Sequence, residues 1–162
     1  VAPIQVSPDG TYGTKRLQWL RKVIDSLAKR QIDSYRRTGG TGRLARMTNR
    51  PLVLLTTRGA RSGLERTVSS NGIADGDEAW LIVASNGGSA RHPARFKNIL
   101  EHPDTIWLGV GSRKMKVRAD SVTGQEREEA FRRISAVIRA YAGYQRKTDR
   151  EIPVVHLTRI SD

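Results

Sequence analysis

Between Pro51 and Asn98 two apolar runs each stop abruptly in a loop of small residues, and this pattern constrains the chain more than any other stretch. Pro51-Leu-Val-Leu-Leu-Thr-Thr57 runs into Arg58-Gly-Ala-Arg-Ser-Gly63, and Trp80-Leu-Ile-Val-Ala84 runs into Ser85-Asn-Gly-Gly-Ser89. The first run is too apolar for a half-exposed strand, and the second has the length of a short buried one. Glycine lets backbone approach a ligand closely and takes positive φ without steric cost. Arginine carries a fixed fork of donors for phosphate or carboxylate. Two such loops at strand ends predict a site for a large anionic ligand.

The remaining elements frame this stretch. Residues 1–14 hold Pro3, Pro8, Gly10 and Gly13 and are expected as a flexible N-terminal tail, leaving 15–162 as a single domain. From Lys15 to about Arg37 the apolar residues Leu17, Leu20, Val23, Ile24 and Leu27 recur at helical spacing, with Lys15, Arg16, Arg21, Lys22, Lys29 and Arg30 largely away from their centre. Packing of that stripe on the chain's own domain is the favoured reading. A basic amphipathic helix also suits an anionic membrane surface. Thr38-Gly-Gly-Thr-Gly42 breaks the helix; no Gly-Lys-Ser/Thr follows, so it is a linker and not a phosphate-binding Walker loop.

Leu64 to Ile73 is polar and expected at a sheet edge, and Asp75-Gly76-Asp77 reads as a hairpin turn. Pro93 suits a helix start, Phe96, Ile99 and Leu100 give its apolar face, and Pro103 ends it near Glu101. Thr105–Val110 and Lys114–Ser121 form a hairpin around Gly111-Ser112-Arg113. Thr123-Gly-Gln-Glu126 reads as a capping box opening a helix with Phe131, Ile134, Ile138 and Tyr141 as its buried stripe, and Val154–Ile160 as a last strand. Short turns between neighbouring strands predict an antiparallel sheet curled into a barrel with flanking helices, an α+β fold.

Composition narrows the chemistry. Lys and Arg number 29 against 16 Asp and Glu in 162 residues, a net charge of +13 that calls for an anionic partner. The chain has no cysteine, no apolar run long enough to span a membrane, and no signal pattern in Val1–Gly13, so a cytoplasmic location is expected. His92, His102 and His156 stand apart without acidic residues at ligand spacing, which predicts no metal site. A turn or cap role for His92 is favoured over a catalytic acid. There is no Gly-x-Ser-x-Gly elbow. Little acid–base apparatus beside a basic, glycine-lined site suggests that a cofactor carries the chemistry.

Thr56-Thr-Arg-Gly-Ala-Arg-Ser-Gly63, Val83-Ala-Ser-Asn-Gly-Gly88, His92-Pro-Ala-Arg-Phe-Lys-Asn98 with His102-Pro103, and Tyr141-Ala-Gly-Tyr-Gln-Arg-Lys-Thr-Asp-Arg-Glu-Ile-Pro-Val-Val155 together resemble the deazaflavin-dependent nitroreductase and quinone reductase family. The resemblance runs from about Gln18 to Leu157. It implies a split β-barrel related to flavin-binding barrels. It implies coenzyme F420, rather than FMN, as cofactor, with hydride passing from the reduced form to a quinone, nitroaromatic or similar activated acceptor. Menaquinone is the acceptor implied for some members, and some associate with the membrane, here on its cytoplasmic face.

By the same resemblance, Arg58, Arg61 and Arg66 would face the phosphate and the carboxylates of the polyglutamate tail. Ser62 and Gly63 would add backbone donors, with Thr57, Gly59 and Thr67 in the same set. Val83, Ala84, Ser85, Asn86, Gly87 and Gly88 would run along the deazaflavin ring and phosphate. Pro93, Arg95, Phe96 and Asn98 would close the site, and Tyr141 and Tyr144 would order the acceptor or donate a proton to it. The chain departs from the family pattern twice: Arg95-Phe96 stands where an aromatic pair is usual, and Thr67-Val-Ser-Ser-Asn71 replaces a proline-containing strand. The expected partner is a small-molecule acceptor and not nucleic acid, with the chain a monomer or homodimer. The alternative is a non-catalytic barrel that binds F420 or a flavin, or nucleic acid through its basic surface.

Overall fold

The computed structural model describes residues 4–15, 20–48 and 50–161. In chain order the elements are α1 (Arg21–Thr38), α2 (Arg43–Thr48), β1 (Leu52–Arg58), β2 (Glu65–Ala74), β3 (Ala79–Val83), α3 (Ala94–Glu101), β4 (Ile106–Val110), β5 (Arg113–Val122), α4 (Gly124–Val137), α5 (Ala140–Arg146) and β6 (Val154–Arg159). The six strands close into an antiparallel barrel in the order β1-β2-β3-β6-β5-β4, with β4 pairing back onto β1. This is the split β-barrel expected from the sequence.

Period-two alternation sorts the apolar residues of β3 to both faces of the wall. Trp80 and Ile82 join Val53, Leu55, Leu108, Val117 and Leu157 inside the barrel, where Phe96 and Ile99 of α3 pack against them. Leu81 and Val83 point outward and meet Ala130, Phe131 and Ile134 of α4, Tyr141 of α5, and Ile152. A strand covered on both faces reads as a continuous apolar run. β2 is polar, yet it is paired on both sides, to β1 and to β3, so it is not the expected edge strand. Both its faces carry polar residues: Ser70 is buried opposite core Val53, while Thr67 and Ser69 on the other face meet Arg36 and Gln31 of α1.

Three other expectations change. The apolar stripe of α1 does not pack on the domain: Val23, Ile24 and Leu27 are 52–58% exposed. Arg16 and Leu17, expected in the same helix, lie outside the described residues. α1 is instead tied down by polar contacts. The Tyr35 hydroxyl donates to the Leu52 carbonyl at 3.0 Å and accepts from Gly111 N–H at 2.8 Å, and Ser69 Oγ donates to Gln31 Oε1 at 2.7 Å. Gly39 ends the helix in the left-handed region at φ 59°, where a Cβ would be strained.

The long C-terminal helix is two helices, broken at Ile138 (φ −124°, ψ 88°). Thr123 stands at the N-cap but its side chain makes no capping bond, because Gly124 at φ 59° takes the first helical residue out of capping geometry. Residues 4–15, expected as a tail, run along the barrel as a strap. Thr11 Oγ1 donates to Asp149 Oδ2 at 2.6 Å, Gly10 N–H donates to the Ala90 carbonyl at 2.7 Å, and Ser7 Oγ donates to the Glu151 carbonyl at 2.7 Å.

Candidate functional site

The 85–88 loop, the N-terminal end of α3, α5 and β2 enclose a polar cavity of about 250 Å³. Its lining joins Ser85, Asn86, Gly87, Arg95, Tyr141 and Tyr144, all expected as site residues, with Ser69, Ser70 and Asn71, noted in the sequence only as a departure from the family pattern, and Arg50, which was not noted. Asn86 and Gly87 take positive φ, 47° and 63°, and the Asn86 amide donates to the Arg91 carbonyl at 2.9 Å, which ties the loop to itself. Arg95 Nη2 donates to the Val83 carbonyl at 3.1 Å, which links the first turn of α3 to the end of β3.

Asn71 Nδ2 donates to the Tyr141 hydroxyl at 3.0 Å, and the Tyr141 and Tyr144 rings meet edge-on at 6.1 Å. Burial pushes the Tyr141 phenol above its ordinary value; the Asn71 bond and the charges of Arg95 and Arg50 pull the other way. Tyr141 is therefore protonated at neutral pH, with its hydroxyl oriented by Asn71 and able to donate.

The Arg58–Gly63 turn lies at the other end of the β1–β2 hairpin. Gly59 N–H donates to the Leu64 carbonyl and Gly63 N–H to the Gly59 carbonyl, each at 2.8 Å. Asn98 holds the turn from α3: its Oδ1 accepts from Ala60 N–H at 2.9 Å and its Nδ2 donates to Thr57 Oγ1 at 3.1 Å. Asn98 and Thr57 are buried, so both shape the turn from beneath. Ser62 Oγ accepts from Leu64 N–H at 3.3 Å. Arg58, Arg61 and Arg66 are exposed, and no carboxylate pairs with them among the described residues.

Other members of the expected set do not line the cavity. Register sets Thr57 opposite Arg66 on one face and Thr56 opposite Thr67 on the other. Thr67 Oγ1 lies 2.9 Å from Thr56 Oγ1 and accepts from Arg36 at 3.3 Å, on the α1 side. Val83, Ala84 and Phe96 are core residues, the Phe96 ring lying against His92 at 5.1 Å. Pro93 is buried at the N-cap of α3, and Gly88 is buried beneath the loop. His92 is buried in a structural network: Nδ1 is 2.8 Å from Arg150 Nη1 and Nε2 is 2.7 Å from the Ser7 carbonyl. His156 meets Asp75 at 3.0 Å, an acidic partner that sequence spacing did not reveal.

The two places are linked by one strand and one helix. From Asn71, at the cavity, to Glu65, beside the turn, β2 covers six residue steps, about 20 Å. α3 bridges them, with Arg95 at the cavity and Asn98 under the turn.

Comparison with known proteins gives a consistent result. A sequence model of the F420H(2)-dependent quinone reductase family matches residues 27–159. An F420H(2)-dependent quinone reductase of Mycobacterium tuberculosis (strain ATCC 25618 / H37Rv) is 35% identical over 149 residues, covering 88% of this chain and 97% of the relative. The solved structure of an F420-H2 dependent reductase superposes with a TM-score of 0.60 at 35% identity, covering 67% of this chain and 94% of that one. A second, described as a domain-swapped dimer, has a TM-score of 0.62 at 31% identity and covers 86% and 96% of the two chains.

Proposed function

The chain belongs to the F420H(2)-dependent quinone reductase family, and from that premise we propose that it passes a hydride from reduced coenzyme F420 to a quinone, or to a similarly activated acceptor such as a nitroaromatic, held beneath Tyr141 and Tyr144. The observation that carries this reading is the spacing of the two places. An arginine turn and a polar, tyrosine-lined cavity about 20 Å apart on one strand suit a long ligand with anionic groups at one end and a ring at the other. F420 has that form, and the residues present fit it.

In this reading Arg58, Arg61 and Arg66 hold the phosphate and tail carboxylates, for which their forked donors are suited. Asn98 and Thr57 fix the turn that carries them. Ser85, Asn86 and Gly87 present loop backbone to the ring, and Arg95 closes that end. When bound, the reduced cofactor supplies the hydride. Asn71 aims the Tyr141 hydroxyl, which stays protonated and donates to an acceptor oxygen. Tyr144 covers the same pocket with its ring edge-on to Tyr141.

Two finer points belong to the same reading. The exposed Val23, Ile24 and Leu27 of α1, beside Lys22 and Arg30, suit peripheral contact with an anionic membrane, where a lipid-soluble quinone resides. No helix among the described residues is long and apolar enough to cross a membrane. A homodimer is supported by the relative solved as a domain-swapped dimer.

The test is titration of the protein with F420 and with FMN, followed by turnover with quinone and nitroaromatic acceptors. F420 should bind and FMN should not. Tyr141→Phe should lower turnover by about a hundredfold, the lower end for a positioned proton donor, with F420 affinity unchanged. Unchanged turnover with every acceptor would assign Tyr141 to packing.

A further inference from the structure

We propose that Arg150 is a positioning residue that fixes the Ser85–Ser89 loop from behind and thereby sets cofactor affinity without touching the cofactor. The proposal rests on the cofactor reading above. Arg150 is 1% exposed. Its Nη1 donates to the Ala84 carbonyl at 3.1 Å, Nη2 to the Ser85 carbonyl at 2.7 Å and Nε to the Ser89 carbonyl at 3.1 Å. All three acceptors flank the segment that turns around the cavity. No carboxylate lies within hydrogen-bond distance of this guanidinium among the described residues. Burying a cation on carbonyls and an imidazole is costly, even with the Asp9 carboxylate near enough to favour the charge, and an apolar side chain could fill the same space. What the guanidinium adds is direction: three donors in a rigid plane hold three carbonyls at set angles.

The loop needs such support. Asn86, Gly87 and Gly88 are consecutive residues at positive φ, 47°, 63° and 80°, a sparsely populated conformation held from within by two i→i+3 bonds, Gly88 N–H to the Ser85 carbonyl at 3.0 Å and Ser89 N–H to the Asn86 carbonyl at 3.2 Å. Arg150 grips both of its ends. The N-terminal strap grips its back: Thr14 N–H donates to the Gly88 carbonyl at 2.9 Å and Gly10 N–H to the Ala90 carbonyl at 2.7 Å. Strap and loop touch backbone to backbone, since a Cβ on Gly13 would lie 2.6 Å from the Gly88 oxygen and 2.3 Å from Ala90 N. α5 closes the third side, where a Cβ on Gly88 would lie 2.8 Å from the Tyr144 carbonyl oxygen. The remaining side of the loop is the cavity.

His92 joins loop and strap. Arginine only donates, so His92 Nδ1 is the acceptor at 2.8 Å, and the ring proton sits on Nε2, which donates to the Ser7 carbonyl at 2.7 Å. Arg150 therefore fixes a tautomer as well as three carbonyls.

The experiment uses the full chain with Arg150→Lys, and with the neutral Arg150→Gln as a second variant. Melting temperature, backbone amide exchange and F420 affinity by fluorescence titration are measured for each. The expected result is faster exchange confined to residues 84–92, with β5 amides unchanged. F420 dissociation constants should rise by roughly tenfold, about 1.4 kcal/mol. A cofactor analogue without the glutamate tail should lose the same factor, because the loop meets the ring and not the tail. Unchanged affinity in a folded variant overturns the proposal, whatever the loop does. So does exchange that rises evenly over the barrel, or failure of both variants to fold, since either makes Arg150 a general core residue. Wild-type protein that does not bind F420 overturns the cofactor reading instead, and loop exchange then decides alone whether Arg150 positions the loop.

Discussion

Arg127 and Arg150 are sunk against the α4–α5 side of the barrel, while Arg58, Arg61 and Arg66 stand in solvent around the turn that closes the first hairpin. The buried pair commits its donors to main-chain carbonyls and to neighbouring side chains of the fold. Arg127 donates to the Ile152 carbonyl through Nε at 3.3 Å and Nη2 at 2.8 Å, to Gln145 Oε1 at 2.8 Å and to Glu128 Oε1 at 2.9 Å, and lies 4.3 Å over the Phe131 ring. Gln145 extends the network, accepting from Ile152 N–H at 3.0 Å and donating to the Arg150 carbonyl at 2.8 Å. These contacts hold the 145–152 segment to the barrel. The exposed three leave their forks open, which is what a binding site for an extended anion requires. One residue type thus does structural work in one region and faces a ligand in the other, and the difference lies in where the donors are directed.

The largest expected effect is on the buried side. Arg127→Ala leaves the Ile152 carbonyl and the Gln145 amide oxygen without their charged donor and removes the packing on Phe131. The loss should be about 3 kcal/mol, a fall in melting temperature of roughly 6–12 °C for a chain of this size. Urea or thermal unfolding measures it. A loss under about 1 kcal/mol would erase the distinction between the two groups of arginines, because that is the range of a surface ion pair.

Arg61→Ala should behave in the opposite way. Charge-assisted contacts to a partly desolvated phosphate or carboxylate contribute on the order of 1.5–3 kcal/mol, so F420 affinity should fall by about ten- to a hundredfold. Stability should stay within about 0.5 kcal/mol of wild type. Arg61→Lys should recover only part of the loss, since lysine lacks the planar fork. The loss should shrink for a cofactor lacking phosphate and glutamates, and at high salt. Equal affinities for the three proteins would move the anion site away from this turn.

Local chemistry was legible in the sequence and long-range chemistry was not. Pro93 and Pro103 bound α3 where they were expected to, because proline acts on its immediate neighbours. β3 was legible because both its faces are covered. The stripe on α1 gave the right helix but the wrong environment: periodicity identifies a face, not what covers it. Nothing at Ile138 or Arg139 marks the α4–α5 break, since neither is glycine or proline. The strap read as a tail because its composition resembles one, while its partners Asp149 and Glu151 are more than 130 residues away. In the site, Ser85–Gly87, Arg95, Tyr141 and Tyr144 carried motif signals. Arg50 and Ser69–Asn71 line the cavity only because closure of the barrel and the position of α5 bring them there. Arg150 was one of 29 Lys and Arg residues, with nothing local to show that it is buried.

The smallest effect is a pH dependence that should touch the buried region alone. Burial holds the His92 imidazole below its ordinary value of 6.5. The Ser7 carbonyl, which accepts from it, and the carboxylate of Asp9 work against that shift, while the charges of Arg150 and Lys97 add to it. Because the folded value is lower than the unfolded one, the unfolded chain binds more protons between the two, and stability falls as protons are added. The contribution is fully present above about pH 6.5 and is lost as pH falls through the folded value. Structurally, protonation at Nδ1 removes the acceptor for Arg150 and sets a second cation against it. Asp9 answers in a separate window. The His92 N–H bond holds its carboxyl below the usual 3.8, so its contribution is lost only at more acid pH. Urea unfolding between about pH 8 and pH 5, where histidine is the side chain that titrates, should show a gentle decline for wild type. His92→Gln keeps an oxygen acceptor for Arg150 and an amide donor for Ser7 without a titrating group, so its slope should be flatter. An identical slope in both proteins would show that His92 is not the group responsible, and would leave the buried arginine region as insensitive to acid as the exposed turn.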